Sequence, residues 1–202
     1  MRRLLTAVIF ASGIILTLII PIAYAQTAES KCTAQMAKSL NIRGLRLGMT
    51  TEELLALFPG ASDRQDVKSN LASANEYPNF GVVRLSFIRG DESRSLNQER
   101  FTGISNVNVV LFDGRIVELS ITYLRFEEGG ASWDNFDQWI TKLNETLKLP
   151  ESRYWIGNHL MCEGIQIWAS PGSLRLFDRA YIMVFRDREI EYRDKRRREF
   201  KP

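Results

Sequence analysis

The stretch ISNVNVVLFDGRIVELSITY, residues 104–123, indicates how this chain folds. Two runs rich in β-branched residues flank Asp113-Gly114, a dipeptide typical of β-hairpin turns. A two-residue turn would put asparagines on the same face as leucine and isoleucine, whereas a three-residue loop gathers the apolar residues on one face. Because the buried face sets the register, we predict the three-residue loop, with Leu111 opposite Arg115 and Gly114 in the left-handed region.

This loop assigns twelve residues of the hairpin to two faces. The predicted buried face contains Val107, Val109, Leu111, Val117, Leu119, Ile121 and Tyr123. The predicted exposed face contains Asn106, Asn108, Glu118, Ser120 and Thr122. Upstream, residues 82–88 alternate between apolar and polar side chains and predict another half-buried strand.

The helix before that strand has the clearest local start signal in the chain. Thr50 is an N-cap residue and Glu53 follows it by three positions, which predicts a capping box. Pro59-Gly60 ends the helix after about two turns. We interpret residues 60–79 and 89–102 as loops, and residues 26–44 as an N-terminal lead-in with a short helix near its end.

The second half of the chain repeats this order of a helix followed by strands. Ser132 is predicted to cap a helix that Pro150 closes. Strands are predicted at 164–169 and 180–186, with a candidate short strand at 174–177 between them.

The chain therefore divides into two tandem units, residues 45–126 and 132–188, followed by a charged tail at 189–202. Each unit has a helix and then antiparallel strands. This predicts an α+β fold of two layers, with helices packed on one face of an antiparallel sheet.

The segment LRLGMTTEELLALFPG, residues 45–60, resembles the start of SmpA/OmlA-like (BamE-like) envelope proteins. β-Lactamase-inhibitor-protein-like domains share the same order of helix and sheet. The resemblance extends more loosely to the end of the hairpin near Tyr123. It implies an exported module that acts by protein contact, in envelope assembly or as an inhibitor.

The first 25 residues have the order of a Sec-type signal peptide. Arg2 and Arg3 precede an uncharged aliphatic run at 4–20, and Ala23-Tyr24-Ala25 forms a small-x-small cleavage site. We expect cleavage after residue 25 and a periplasmic or secreted protein. The alternative is an uncleaved signal-anchor, since about 20 apolar residues can span a bilayer.

Cys32 and Cys162 are the two cysteines of the chain. In an exported protein such a pair favours one disulfide, and two separate buried thiols are the alternative. Without Arg2 and Arg3 the net charge falls from +3 to +1. A body so near neutrality does not favour nucleic-acid binding.

The sequence offers little for catalysis. His159 is the one histidine, no serine lies in a Gly-x-Ser-x-Gly motif, and no usual zinc site can be assembled, so we predict no metal and no cofactor. Carboxylates are adjacent at Glu52-Glu53 and Glu127-Glu128. The first pair suits a helix start and the second a solvated loop.

Two features are candidates for binding. Tyr154, Trp155 and Trp168 would form an interface or glycan platform if exposed, and would otherwise pack beneath the loop at 151–162. The second feature is the basic run Lys195, Arg196, Arg197 and Arg198. It would contact anionic lipid heads or an acidic partner if functional, and would otherwise be a solvated tail.

We therefore expect an exported, non-enzymatic binding or assembly module that contacts an envelope or extracellular macromolecule. One alternative is a hydrolase that acts on envelope polymers through a carboxylate pair. The other is a structural membrane protein held by its uncleaved leader.

Overall fold

A computed structural model describes residues 32–91, 96–97, 99–124, 135–150 and 155–200. The predicted leader at 1–25 lies outside these residues, and so do Ser132, Tyr154 and the pair Glu127-Glu128. None of the helices within the described residues combines the length and the apolar character needed to cross a membrane.

Six strands form one antiparallel sheet in the order β1-β2-β3-β6-β5-β4. The strands are β1 (Val82–Ile88), β2 (Ile104–Phe112), β3 (Arg115–Tyr123), β4 (His159–Cys162), β5 (Ile165–Ser170) and β6 (Ser173–Asp178). The helices of the described residues are α1 (Ala34–Ser39), α2 (Thr51–Ala56), α3 (Gln65–Ala72), α4 (Phe136–Leu147) and α5 (Ala180–Glu199). The two predicted units each supply three neighbouring strands, and β3 pairs with β6 where they meet. The predicted α+β class is confirmed.

One face of the sheet carries the main core. Side chains from α1 to α4 pack there against apolar residues of all six strands. Within this core, Phe58, Phe87 and Phe101 form a stack, with ring centroids 3.6 Å apart for Phe58–Phe87 and 4.9 Å apart for Phe58–Phe101. The apolar side chains that the alternating pattern placed on one side of the sheet are therefore the ones that the helices cover.

The prediction for the hairpin turn is wrong, although the predicted faces are almost right. Phe112 lies opposite Arg115 across a two-residue turn in which Asp113 and Gly114 have φ values of 49° and 73°. A bulge at Val117 then shifts the register. Ile116 therefore lies in the core and Val117 lies on the opposite face. The predicted three-residue loop had instead assigned Val117 to the core.

The bulge has a cause that lies far away in the chain. The Ile116 N–H donates to the Met49 carbonyl at 2.8 Å, and the Ile116 carbonyl accepts from the Gly48 N–H at 2.7 Å. The segment before α2 therefore pairs with the first residues of β3. Because this contact is long-range, inspection of the hairpin alone does not reveal it.

The start of α2 is as predicted. The Thr50 hydroxyl accepts from the Glu53 N–H, and the Glu53 carboxylate accepts from the Thr50 N–H, which completes the capping box.

The prediction of a loop at 60–79 is wrong, since this segment contains a short 3-10 helix (Ala61–Asp63) and α3. Asn135 caps α4, so this helix begins three residues later than a cap at Ser132 would place it.

The strand predicted at 180–186 is also wrong, because these residues open α5. Their apolar run, Tyr181 to Phe185, is too short for periodicity to separate strand from helix. The charged residues that follow pair at helical spacing, with Glu189–Arg193 at 3.9 Å and Lys195–Glu199 at 3.8 Å. The predicted boundary at residue 188 therefore falls inside a continuous helix.

The predicted disulfide between Cys32 and Cys162 is confirmed. It joins Cys32, two positions before the start of α1, to the last residue of β4 and closes a loop with a sequence separation of 130. The Ala34 N–H also donates to the Glu163 carboxylate at 3.1 Å, beside the disulfide. The N-terminal segment is thereby fixed to the second unit of the fold.

The outer edge of β1 is covered by side chains. Asn70 of α3 donates its amide N–H to the Arg84 carbonyl at 3.3 Å. Arg64, at the start of the same helix, donates to the Ser86 carbonyl at 3.3 Å. These carbonyls point away from β2, so both would otherwise be free acceptors along the edge of the sheet.

Candidate binding face of the sheet

The face of the sheet opposite α1 to α4, which we call the open face, has a different composition from the core face. Its register aligns one residue from each strand in a row that crosses the whole sheet. In order from β1 to β4, this row contains Ser86, Asn108, Ser120, Arg175, Trp168 and His159. We call these six residues the cross-strand row. All six are polar or amphipathic, as expected of side chains that alternate with the core residues of their strands.

The aromatic end of the cross-strand row is tightly stacked. The rings of His159 and Trp168 are 4.2 Å apart at their centroids and nearly parallel, at 16°. The Arg175 guanidinium carbon lies 5.8 Å from the Trp168 ring centroid and 5.4 Å from the Phe177 ring centroid. Trp168 is nevertheless 40% exposed. The stack is therefore held in place on three strands while its tryptophan remains accessible.

The arginine of this stack belongs to an ion pair. Arg175 Nε lies 2.8 Å from a carboxylate oxygen of Glu118 on the adjacent strand, and the Glu118 side chain is only 15% exposed. Burial raises the pKa of the nearby Tyr181 hydroxyl, and the negative charge of Glu118 raises it further. The tyrosine is thus a neutral hydrogen-bonding group beside a paired arginine.

A cavity of about 620 Å³ lies over the β1 end of the cross-strand row. Asn108, Arg84, Glu118 and Arg175 line its floor and Tyr181 of α5 lines one side. Arg84 is exposed and has no ion pair with any described residue. The cavity therefore presents amide, hydroxyl and guanidinium groups side by side, and these can bind peptide or sugar oxygens.

The N-terminal half of α5 packs at one end of this face. Tyr181 and Phe185 cover a small cluster of Val82, Val110 and Phe112. Arg188 donates to both carboxylate oxygens of Asp113, at 2.8 and 2.7 Å, and to the Phe80 carbonyl at 3.0 Å. The hydrogen bond to Asp113 raises the pKa of Arg188. Of the helices in the described part of the chain, α5 is the one that places aromatic side chains here.

The C-terminal half of α5 extends beyond these contacts. Lys195, Arg196, Arg197 and Arg198 are exposed in its last turns. Lys195 pairs with Glu199 and Arg197 lies 3.8 Å from Asp194, whereas Arg196 and Arg198 have no ion pair with a described residue. The basic run is therefore helical and partly neutralised along its own helix.

Of the three predicted aromatic residues, the structure describes Trp155 and Trp168, and these two lie on opposite faces of the sheet. Trp155 is 9% exposed and belongs to the main core, the packing role that the sequence left open. Trp168 lies on the open face, because it alternates with the buried Ile165 and Ile167 of β5, and it is the exposed one of the two. His159, the one histidine of the chain, stacks on Trp168.

Sequence reasoning missed Arg175 and Phe177 altogether. They alternate with Leu174 and Leu176 in β6, and that alternation was the available signal. The candidate strand at 174–177 is confirmed, but the row needs the register of the five other strands before its members can be recognised.

The remaining candidates for chemistry have local explanations. The Glu52 pKa is lowered by hydrogen bonding to its own backbone N–H and then to Thr50, which is the electrostatics of a helix start. Among the described residues, no group of three histidine, cysteine, aspartate or glutamate side chains could hold a metal ion. Comparison of this chain with protein-family models, with curated proteins and with solved structures finds no match.

Proposed function

We propose that this protein is an exported, non-enzymatic binding module that contacts another macromolecule through the cross-strand row. The observation that carries the proposal is the stack of His159, Trp168 and Arg175 on a face that α1 to α4 leave uncovered. Tryptophan and arginine are the residue types that contribute most to protein–protein binding energy. The most direct partner is therefore a protein of the envelope or the extracellular space.

Pre-organisation supports this assignment. Trp168 lies between His159 and Arg175, and Arg175 is ion-paired with the largely buried Glu118. Side chains that are already ordered lose less conformational entropy when a partner arrives. A solvated strand face has no need of such a stack, so its presence favours a binding role.

Export is the second part of the proposal. It rests on the leader pattern at residues 1–25 and on the disulfide between Cys32 and Cys162. Disulfides persist mainly in oxidising compartments. The resemblance of residues 45–60 to SmpA/OmlA-like proteins is consistent with a role in the same compartment.

Site-specific photo-cross-linking in the native host tests the proposal. A photoreactive residue replaces Gln166, which lies next to Trp168 on the open face, and in a matched strain it replaces Asp137 on α4. We expect a discrete cross-linked protein from position 166 and not from position 137. The Trp168→Ala variant should abolish the adduct, whereas Met183→Ala, at a 60% exposed residue of α5, should retain it. Adducts that persist in Trp168→Ala would contradict the proposal.

A further inference from the structure

A second cavity of about 620 Å³ lies on the helix side of the sheet, between α4 and the turn that follows α1. Its volume is within the range of ligand pockets, roughly 300–1,000 Å³. The apolar part of its wall is formed by Ile42, Ile104, Tyr123, Trp139, Leu143 and Leu147. Such a wall is suited to a hydrocarbon chain.

The charged residues that line the cavity are all positive. They are Arg43 and Lys142, and no aspartate or glutamate is among the lining residues. Arg43 is exposed and forms no ion pair with a described residue. Lys142 lies 3.6 Å from Glu145, but both side chains are more than half exposed, at 58% and 63%, so this pair is weak. An anionic group at this wall would therefore find two available cations.

The backbone of Arg43 gives a second, independent reason to assign it a role. The Ile42 and Leu45 backbones bond to each other at 2.8 and 3.0 Å, which makes Arg43 and Gly44 the two central residues of a tight turn. Their φ values are 57° and 97°. Glycine, asparagine and aspartate are the usual residues at the first of these positions, because an arginine there strains the backbone. Strain of this kind is typically retained where the side chain has a function.

A neutral polar group completes the wall. Tyr123 packs edge-on against Trp139, with ring centroids 5.1 Å apart. Burial raises the pKa of Tyr123 to about 12, so its hydroxyl is protonated at physiological pH. No described residue forms a hydrogen bond with this hydroxyl, so within that part of the chain no protein group competes with a ligand for its proton.

We propose that this cavity binds a fatty acid, with the hydrocarbon chain along the α4 wall and the carboxylate at Arg43 and Lys142. A carboxylate suits an arginine better than a neutral head group does, since charge-assisted hydrogen bonds are the stronger ones. The assignment is independent of the cross-strand row, which lies on the other face of the sheet.

Isothermal titration of the protein purified after export, with dodecanoate as the probe, tests the proposal. Dodecanol and dodecyltrimethylammonium have the same chain with a neutral and a cationic head. We expect saturable binding of one dodecanoate, and binding about tenfold or more weaker for the two analogues. Equal binding of dodecanoate and dodecanol would overturn the role of the cations.

Two variants locate the site. Arg43→Asn places a favoured residue in the turn, so it should fold at least as stably as the parent while it loses about tenfold or more in dodecanoate affinity. Thr146→Trp fills the cavity from an exposed position of α4 and should abolish binding. Thr141→Trp, on the same helix but not in the cavity wall, and Arg186→Gln on α5 are the controls and should bind normally. Unchanged affinity in Arg43→Asn or Thr146→Trp would overturn the proposal.

A membrane source for the ligand is tested separately. Vesicles of phosphatidylcholine with phosphatidylglycerol are co-sedimented with the protein in the presence and absence of dodecanoate. We expect no Arg43-dependent sedimentation. Vesicle binding that Arg43→Asn abolishes and dodecanoate does not displace would overturn the assignment to a free fatty acid.

Discussion

The same strands form a buried core on one face of the sheet and a partly exposed row of ordered side chains on the other. On the helix side, residues such as Phe87 and Leu119 are fully buried and form one continuous core. On the other side, the same strands present the cross-strand row, which is ordered by a stack and an ion pair and remains partly exposed. The comparison teaches that order on a protein surface does not require burial. It also predicts that damage to the two faces will have different consequences, stability on one and binding on the other.

The sharpest test of this comparison is a pair of phenylalanine truncations. Phe87 is 0% exposed and lies in the ring stack of the core, whereas Phe177 is half-buried on the open face. We expect Phe87→Ala to lower the free energy of unfolding by about 3–5 kcal/mol, the usual cost of a large cavity, and Phe177→Ala to cost much less. Urea denaturation measures both. Equal losses would show that the open face is a second core.

Each face of the sheet has a tyrosine with a raised pKa, so the two faces should contribute differently to the loss of stability at alkaline pH. The pKa of Tyr123 is raised to about 12 by burial, and the pKa of the more exposed Tyr181 is also raised, first by burial and then by Glu118. A tyrosine whose pKa is raised in the folded state contributes its full stabilisation below its ordinary pKa of about 10. This stabilisation is lost as the pH rises through the folded-state pKa. Unfolding free energy should therefore fall by about 2–3 kcal/mol between pH 10 and 12 because of Tyr123.

The tyrosine variants check this assignment. Tyr123→Phe should flatten the pH dependence of unfolding above pH 10, and Tyr181→Phe should change it less. A curve for Tyr123→Phe that superimposes on the parent curve would rule out the buried hydroxyl as its source.

Substitutions in the hairpin turn between β2 and β3 should have an intermediate effect on the free energy of unfolding. Gly114 has a φ of 73°, and its carbonyl accepts from the Thr51 N–H of α2 at 2.9 Å. Gly114→Ala should cost roughly 1–2 kcal/mol, since alanine is strained in this conformation. Gly114→Asn should cost less, because asparagine tolerates left-handed backbone. Thermal unfolding of the two variants gives the order, and a reversed order would contradict the turn geometry.

The smallest effect on stability is expected where α5 meets the open face. Arg188 binds Asp113 and the Phe80 carbonyl, but the paired side chains are 37% and 48% exposed. Arg188→Ala should therefore change the free energy of unfolding by less than about 1 kcal/mol. Amide hydrogen exchange in α5 should nevertheless become faster, and Arg186→Ala is the control. Unaltered exchange would show that the aromatic contacts alone hold the helix.

Local signals predicted the parts of the fold that depend on local contacts. The capping box of Thr50 and Glu53 involves neighbours in the chain, and the disulfide follows from two cysteines with no other partner. The bulge at Val117 was missed because Met49 creates it from 68 positions away in the chain. The helical state of 180–186 was missed because five consecutive apolar residues fit strand and helix equally well.

The candidate site was harder to predict for the same reason. The sequence left open whether Trp168 is exposed or packs beneath the loop at 151–162, and the structure shows it on the exposed face of its strand. Its neighbours His159 and Arg175 belong to other strands, and only the sheet register brings the three together. Alternation identifies which face a residue joins, but not the residues it meets there.

The side chains of Arg64 and Asn70 along β1 bear on how copies of this protein can associate. With the Ser86 and Arg84 carbonyls already occupied, a strand from a second molecule cannot extend the sheet at that edge without displacing both. In the described part of the chain, the opposite edge strand is the four-residue β4, and the disulfide joins its last residue to the segment before α1. Fibril-like growth from strand to strand is therefore disfavoured at high local concentration, and self-association would have to use faces rather than edges.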